Sequence, residues 1–378
     1  MNKRFRNSLA VFSLLTVLMP LAVAQVPRSK HVWLITEENH SYEKAVPAMP
    51  YLVSLGKQYG IATQHYANMH NSIAALMHFV AGNTVTTNNQ TSAFFSSNNI
   101  VRQLLTKGLT WKSYQESLPS VGFLGVSSYP YVRRHNPLAY FTDVNTPVQR
   151  LNVVPYPADM THDLAGNYNY ITPNLKNDAH DGTMATADSW LRSHVPAILA
   201  RPEFQPGGDG IMIITFDEGD IGGVDSRCSA TVSTGCGGRV LTVVVGPRVK
   251  RGYQSTVWHN HESVLKTTCV ALGITTCPGA AQTAKDLGEF FMASGGVNLV
   301  SPTNGATTGT AVRVSATAHS TQPITAVRVY VDNVNKYQTS GSTVNTSLTL
   351  ATGGHNVVVQ AWDKSGAVFK SSAGITVK

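Results

Sequence analysis

Two uninterrupted apolar runs, each ending in adjacent acids, constrain this chain more than any other feature. Val32-Trp33-Leu34-Ile35 leads through Thr36 into Glu37-Glu38-Asn39-His40-Ser41, and Ile211-Met212-Ile213-Ile214-Thr215-Phe216 leads into Asp217-Glu218-Gly219-Asp220. A strand with one wet face alternates apolar and polar side chains, so continuous runs of this length read as strands covered on both faces, as in parallel sheets. Val240 to Val245 reads as a third parallel strand. Between these runs, apolar residues recur at three-to-four spacing in Ile73, Leu76, Met77, Val80, then Ala187, Trp190, Leu191, Ile198, then Val264, Leu265, Leu272. Strands alternating with helices predict a layered α/β domain with a mostly parallel central sheet over residues 25–295.

In open α/β folds, ligands bind beyond the C-terminal ends of the strands. Two parallel strands ending in Glu37-Glu38-Asn39 and in Asp217-Glu218 would converge hard oxygen ligands on one edge. Carboxylates so close repel one another unless a cation neutralises them, so the expected cofactor is a divalent metal ion. Oxygen and imidazole ligands admit iron, manganese, zinc or calcium alike, and leave its identity open.

Histidines cluster near the same motifs: His65, His70 and His78, then His180, then His259 and His261. His78 falls inside the helical stretch after Ser72 and reads as structural. His180, in Asn177-Asp178-Ala179-His180-Asp181-Gly182, and His261, in Trp258-His259-Asn260-His261-Glu262-Ser263, precede helices in loops rich in acids and amides. They suit phosphate contact, proton transfer or metal ligation. Ser72 follows His70-Asn71 and opens a helix. Serine there is either an N-cap or, with a metal lowering its hydroxyl pKa and helix N–H groups facing a phosphate, a nucleophile.

The opening Met1-Asn2-Lys3-Arg4-Phe5-Arg6, the apolar run from Leu9 to Val23 and Ala22-Val23-Ala24 form a secretory signal, residues 1–24, with cleavage after Ala24. No later segment has the roughly 20 apolar residues of a spanning helix, so the expected product is secreted or periplasmic. Of the formal charge of +8, three units belong to Lys3, Arg4 and Arg6, which leaves +5. That suits anionic substrates, but no Lys/Arg run marks a nucleic-acid groove. Cys228, Cys236, Cys269 and Cys277 form two sequence-local pairs in a chain leaving the reducing cytoplasm. Cys228–Cys236 and Cys269–Cys277 are the simplest of the three possible connectivities.

At Gly295-Gly296 the composition turns to Thr, Ser and Val. Alternation in Val312 to Ala316, Val327 to Val331 and Val357 to Ala361 predicts half-buried antiparallel strands and an immunoglobulin-like β-sandwich over residues 296–378. Its opening Ser301-Pro302-Thr303-Asn304-Gly305 and its Gly354-His355-Asn356-Val357 to Ala361-Trp362-Asp363 close resemble bacterial Ig-like modules. No catalytic cluster falls inside it, and its expected role is contact with a cell surface or glycan.

Taken together, the motifs resemble the bacterial phosphoesterase family of secreted acid phosphatases and phospholipases C, built on an alkaline-phosphatase-like core. The segments that carry the resemblance are His31 to Ser41, Tyr131-Val132-Arg133-Arg134-His135-Asn136-Pro137, Asn177 to Gly182 with Asp188-Ser189-Trp190-Leu191, Thr215 to Asp220, and His261-Glu262-Ser263-Val264-Leu265. Within that family the compact chain is most similar to secreted acid phosphatases of the phosphatidylinositol-3-phosphatase type. The resemblance implies that Glu38, Asn39, Asp217 and Glu218 hold a divalent metal and that Ser72 is the nucleophile and bridges to it. It also implies that His70, His135, His180 and His261 surround the phosphoryl group, with Asp181 orienting a neighbour. The family usually has Pro-Asn where this chain has Ala74-Ala75, so a phosphoryl-binding asparagine is replaced by Ala75, with Asn71 as the candidate substitute. The expected activity is hydrolysis of phosphate monoesters, possible substrates extending to a phospholipid or phosphoinositide. The alternatives are a phospholipase C or other phosphodiesterase and, from a different class, a catalytically weakened surface-binding protein.

Overall fold

The computed structural model describes residues 25–205, 208–220, 225–226, 236–291, 295–320, 323–364 and 368–378. The expected secretory segment 1–24 and Cys228 lie outside the described residues. The larger part is built on an eight-stranded sheet. In chain order its strands are β1 (Val32–Glu37), β2 (Gly60–Ala62), β3 (Trp111–Gln115), β4 (Val153–Pro155), β5 (Tyr168–Thr172), β6 (Ile211–Phe216), β7 (Thr242–Val245) and β8 (Tyr253–Ser255). Across the sheet they lie in the order β8-β2-β7-β6-β1-β5-β3-β4.

Among the described residues six α-helices accompany it: α1 (Tyr42–Ala48), α2 (Pro50–Gln58), α3 (Ser72–Ala81), α4 (Ile100–Thr106), α5 (Met184–Leu199) and α6 (His261–Leu272). The period-two alternation of β1 decides which helices meet which residues. Val32 and Leu34 pack with α3, α4 and α6, whereas Trp33 and Ile35 pack with α1, α2 and α5. All six residues of β1 are buried, so the strand has no wet face to mark with polar side chains. The three stretches of helical periodicity in the sequence fall within α3, α5 and α6.

The sheet is mixed. Among the described residues β1 is parallel to β5 and β6, β3 to β5 and β4, and β8 to β2. β7 runs antiparallel to both β6 and β2, which corrects the expectation that Val240 to Val245 is a parallel strand. β7 is entered beside the end of β6, where Gly219 N–H donates to the Gly237 carbonyl at 2.7 Å. A strand that begins where its neighbour ends must run back along it. Burial on both faces produces the same apolar composition in either direction.

Residues after Phe291 form two further sheets. Gly295–Ser301, Ala311–Ser320 and Thr343–Thr349 make a three-stranded one, and Thr307–Thr308, Ile324–Val331, Val334–Thr339, Gly353–Asp363 and Val368–Val377 a five-stranded one. Val312, Val314, Val327, Val329, Val357 and Val359 point inward from both sheets into a core of their own. The alternating triplets of valines in the sequence lie in these strands. Cys269 and Cys277 are bridged with an S–S distance of 2.03 Å, which fastens α6 to the segment behind it. Among the described residues no helix is long and apolar enough to cross a membrane.

Candidate active site

The register of β1 and β6 assembles the acidic edge. Thr36 pairs with Thr215 and Glu37 with Phe216, so Glu38 and Asp217 come next, side by side. Asp217 N–H donates to the Glu37 carbonyl at 3.0 Å. By alternation Glu38 shares parity with Val32 and Leu34, and Asp217 with Ile211 and Ile213, the side that packs on α3. Glu37 falls on the opposite side, fully buried, with neither carboxylate oxygen hydrogen-bonded. Asn39, at φ 62°, donates its backbone N–H to Asp217 Oδ1 at 2.9 Å.

α3 delivers Ser72 to that side. Its N-cap is Asn71, whose Oδ1 accepts from Ala74 N–H at 3.3 Å, so Ser72 is the first helical residue and not the cap. Ser72 Oγ donates to Glu38 Oε2 at 3.0 Å and stands 3.5 Å from Glu218 Oε1. Glu218 Oε2 accepts from Asn71 N–H at 3.0 Å and lies 2.7 Å from His70 Nδ1. Asn71 Nδ2 donates one N–H to the Thr87 carbonyl while its Oδ1 caps the helix, and Ala75 is fully buried within α3. Asn71 at φ 101° and Ala179 at φ 73° join Asn39 in the left-handed region, so backbone strain gathers at this edge, as it commonly does at working sites.

The electrostatics are unfavourable by design of the neighbourhood. Burial, reinforced by the charges of Asp217, Asp178 and Glu218, pushes the Glu38 carboxyl well above the usual carboxylate range. Burial and then Glu218 do the same to Asp217. Burial also raises Glu37, and takes Asp178 up to about 7. His135 is held well below its ordinary value, first by burial and then by Arg134 and His180. Its Nδ1 lies 2.9 Å from Asp178 Oδ2, so the proton of the neutral ring sits there, and the Nε2 lone pair is left 3.3 Å from Glu38 Oε2. His135 Nε2 and Asp217 Oδ2 are buried without a hydrogen-bond partner.

Carboxylate oxygens and an imidazole lone pair facing one another, unsatisfied and out of water, have the donor chemistry of a divalent-cation site. Among the described residues, no group of three or more His, Cys, Asp or Glu side chains already stands in a coordinating arrangement. Glu38, Asp217, Glu218 and Ser72 are gathered; closing them on an ion would need their side chains to turn.

The other expected residues take different places. His180 Nδ1 pairs with Asp181 Oδ1 at 2.7 Å and its Nε2 with Arg134 Nη2 at 3.1 Å, while its ring leans on His135 with centroids 5.3 Å apart. His261 lies behind the site, fully buried and stacked on Phe79 at 3.9 Å. Its Nε2 bonds the Asp217 carbonyl, which can only accept, so Nε2 carries the proton and Nδ1 accepts from His65 Nε2 at 3.2 Å. His261 thus braces the Asp217 backbone; the sequence offers it for phosphate contact, proton transfer or metal ligation. His78 pairs with Glu262 at 2.6 Å, and Glu262 also accepts from Asn68, a link between α3 and α6 in keeping with a structural role.

Asp178, His65, Arg134 and Glu262 belong to this network without having been assigned a part in it from the sequence. Asp178 is the most central: its carbonyl accepts from Glu38 N–H at 2.8 Å and its carboxylate bonds both His135 and the His180 backbone. Its place two residues before His180, in a loop already singled out, was the available signal.

The phosphoesterase family pattern matches residues 45–273, more than half of the chain. The chain is 28% identical over 252 residues to a phosphatidylinositol-3-phosphatase of Mycobacterium tuberculosis, covering 65% of this chain and 78% of that protein. It is 31% identical over 258 residues to an acid phosphatase of Aspergillus fumigatus, covering 64% and 54% respectively. A phosphate-repressible acid phosphatase of Penicillium chrysogenum is 28% identical over 262 residues, covering 65% and 59%. The chain thus spans little more than half the length of these fungal relatives.

Proposed function

From the premise that this chain belongs to the phosphoesterase family and is a hydrolase acting on phosphate ester bonds, we propose that it is an exported, metal-dependent phosphomonoesterase with Ser72 as nucleophile. The observation that carries the reading is Ser72 Oγ, set at the first turn of α3 and 3.0 Å from Glu38 Oε2 among three carboxylates. Glu38, Asn39, Asp217 and Glu218, with Ser72 itself, would hold a divalent ion, which would polarise the phosphoryl group and lower the hydroxyl pKa. His135, by its orphaned Nε2, is a further donor on that side.

The chain's own groups supply the rest. Ser72 Oγ would form a bond to phosphorus as the bond from phosphorus to the alcohol oxygen breaks, and the hydroxyl proton, handed on by way of Glu38 Oε2, would leave on the departing alcohol. Water would then cleave the phosphoserine and release inorganic phosphate. His70 and the Asn71 N–H hold Glu218, and His261 holds the Asp217 backbone, which keeps both acids at the edge where Ser72 stands. A monoester dianion spreads its charge over three oxygens and profits from every donor here, whereas a diester brings less charge and a second substituent. The mycobacterial relative supports a phosphoinositide as one candidate substrate. The C-terminal sheets, read as an Ig-like sandwich, would serve attachment to a cell surface or glycan.

The test is exhaustive metal removal followed by a panel of soluble monoesters, a phosphodiester and a phosphocholine lipid. Turnover should vanish with the metal and return with it, fastest on monoesters. Full activity in metal-free protein would overturn the metal, and fastest cleavage of the lipid would favour a phospholipase C.

A further inference from the structure

The two adjacent arginines that precede His135 meet opposite fates. Arg133 is buried between Phe94 and Tyr140, 4.5 and 4.0 Å from their ring centroids, and donates to the Ser92, Ala93 and Ala139 carbonyls. It is a structural pin. Arg134 is only half-buried, and among the described residues one of its groups, Nη2, is engaged, with His180 Nε2 at 3.1 Å.

That single contact fixes the state of His180. A guanidinium has only donors, so His180 Nε2 must offer its lone pair, and the ring proton must sit on Nδ1, facing Asp181 Oδ1 at 2.7 Å. Both ring nitrogens are then occupied. His180 has no proton to give a leaving group and no N–H to give a phosphate while this chain of contacts stands. Among the described residues the other N–H groups of Arg134 make no hydrogen bond to protein. His180 leans on the His135 ring with centroids 5.3 Å apart, and His135 Nε2 lies 3.3 Å from Glu38 Oε2, which accepts from Ser72 Oγ. A cation with spare donors is thus linked through two imidazoles in contact to the carboxylates around Ser72.

We propose that Arg134 binds the non-bridging oxygens of the phosphoryl group and that Asp181 and His180 are positioning residues that aim its guanidinium. The proposal rests on the phosphoesterase reading above. It makes the planar fork of Arg134 the specificity element for phosphate and removes His180 from proton transfer.

The experiment uses the full chain, inorganic phosphate as the probe by calorimetry, and a small soluble monoester for kinetics, with thermal melting to verify folding. Arg134→Gln should weaken phosphate binding about tenfold or more, the usual worth of a charge-assisted hydrogen bond, and raise KM more than it lowers kcat. Arg134→Lys should recover part of the affinity, since it restores charge without the fork. His180→Ala should act in the same direction, His180→Gln less so because its amide oxygen can still accept from Arg134, and the double variant should be no worse than Arg134→Gln alone. Phosphate affinity within about twofold of wild type in both position-134 variants would overturn the proposal. So would His180→Ala with kcat reduced and phosphate affinity unchanged. Wild-type protein that binds phosphate without turning over any ester would sink the catalytic reading and leave the Arg134 comparison standing. Wild-type protein that binds no phosphate would sink both.

Discussion

His31 and Asp209 stand where β1 and β6 begin; Glu38, Asp217 and Glu218 stand where the same two strands end. At the first end, His31 Nδ1 lies 2.8 Å from Asp209 Oδ1, and Lys30 N–H donates to Asp209 Oδ2 at 2.7 Å. The Asp209 hydrogen bond raises His31 above its ordinary value. Burial works against Asp209, but the His31 and Lys30 hydrogen bonds outweigh it and leave its carboxyl low. Both shifts favour the charged pair in the folded chain, so this end contributes stability. At the far end burial and like charge push Glu38 and Asp217 upward, so ionising them works against the fold. One pair of strands therefore carries a satisfied end and an unsatisfied one, and the unsatisfied end is where a ligand would have most to gain.

Breaking the unsatisfied end should affect chemistry far more than folding. Ser72→Ala removes one hydroxyl hydrogen bond and leaves Asn71 as the cap of α3. Turnover should fall on the order of a thousandfold or more if a phosphoserine is obligatory, with the melting temperature nearly unchanged. Steady-state rates on a soluble monoester decide it, and near-wild-type hydrolysis would remove Ser72 from the mechanism.

Asp217→Asn sharpens the contrast by pulling metal binding and folding apart. The amide keeps the oxygen that accepts from Asn39 N–H and places an N–H donor where Asp217 Oδ2 is now buried without a partner. Loss of one charge beside Glu38 should stabilise the metal-free chain by about 1 kcal/mol, or roughly 2–4 °C. Metal content and rate should both drop. A metal-free variant that melts below wild type would mean that the acids do not strain the fold.

Much of the unsatisfied end was legible, and the satisfied one was not, since nothing in the sequence pairs His31 with Asp209. Uninterrupted apolar runs announce strands buried on both faces, and the acids at their ends announce the edge where ligands gather. Direction was not legible, since β7 has the same apolar composition as β1 and β6, which are parallel to each other. β3 and β5 were invisible because their buried residues include Ser113, Asn169 and several tyrosines, which interrupt the apolar run, and the Asn169 amide pairs locally with Gly166. The histidines were visible as a group and opaque one by one. Whether an imidazole faces a substrate or a carbonyl depends on contacts such as His261 with Asp217 and His180 with Arg134, which join residues 44 and 46 positions apart.

The smallest effect belongs to the satisfied end, and pH isolates it. His31 has a folded pKa raised above 6.5, so its contribution is complete below that value and fades as pH rises through the folded one. Asp209 has a lowered pKa, so its share is present above about 3.8 and fades as pH falls. The pair should therefore help most between those two values. His31→Asn removes the titrating group, and the melting-temperature gap to wild type should be wider at pH 5.5 than at pH 8.5. The side chains are 34% and 22% exposed, so screening limits the difference to about 0.5 kcal/mol, or roughly 1–2 °C. A gap that is flat across that range, or that widens toward pH 8.5, would show that the beginning of the sheet is held by its backbone hydrogen bonds, such as Ile211 N–H to the His31 carbonyl at 2.9 Å, and gains nothing from charge.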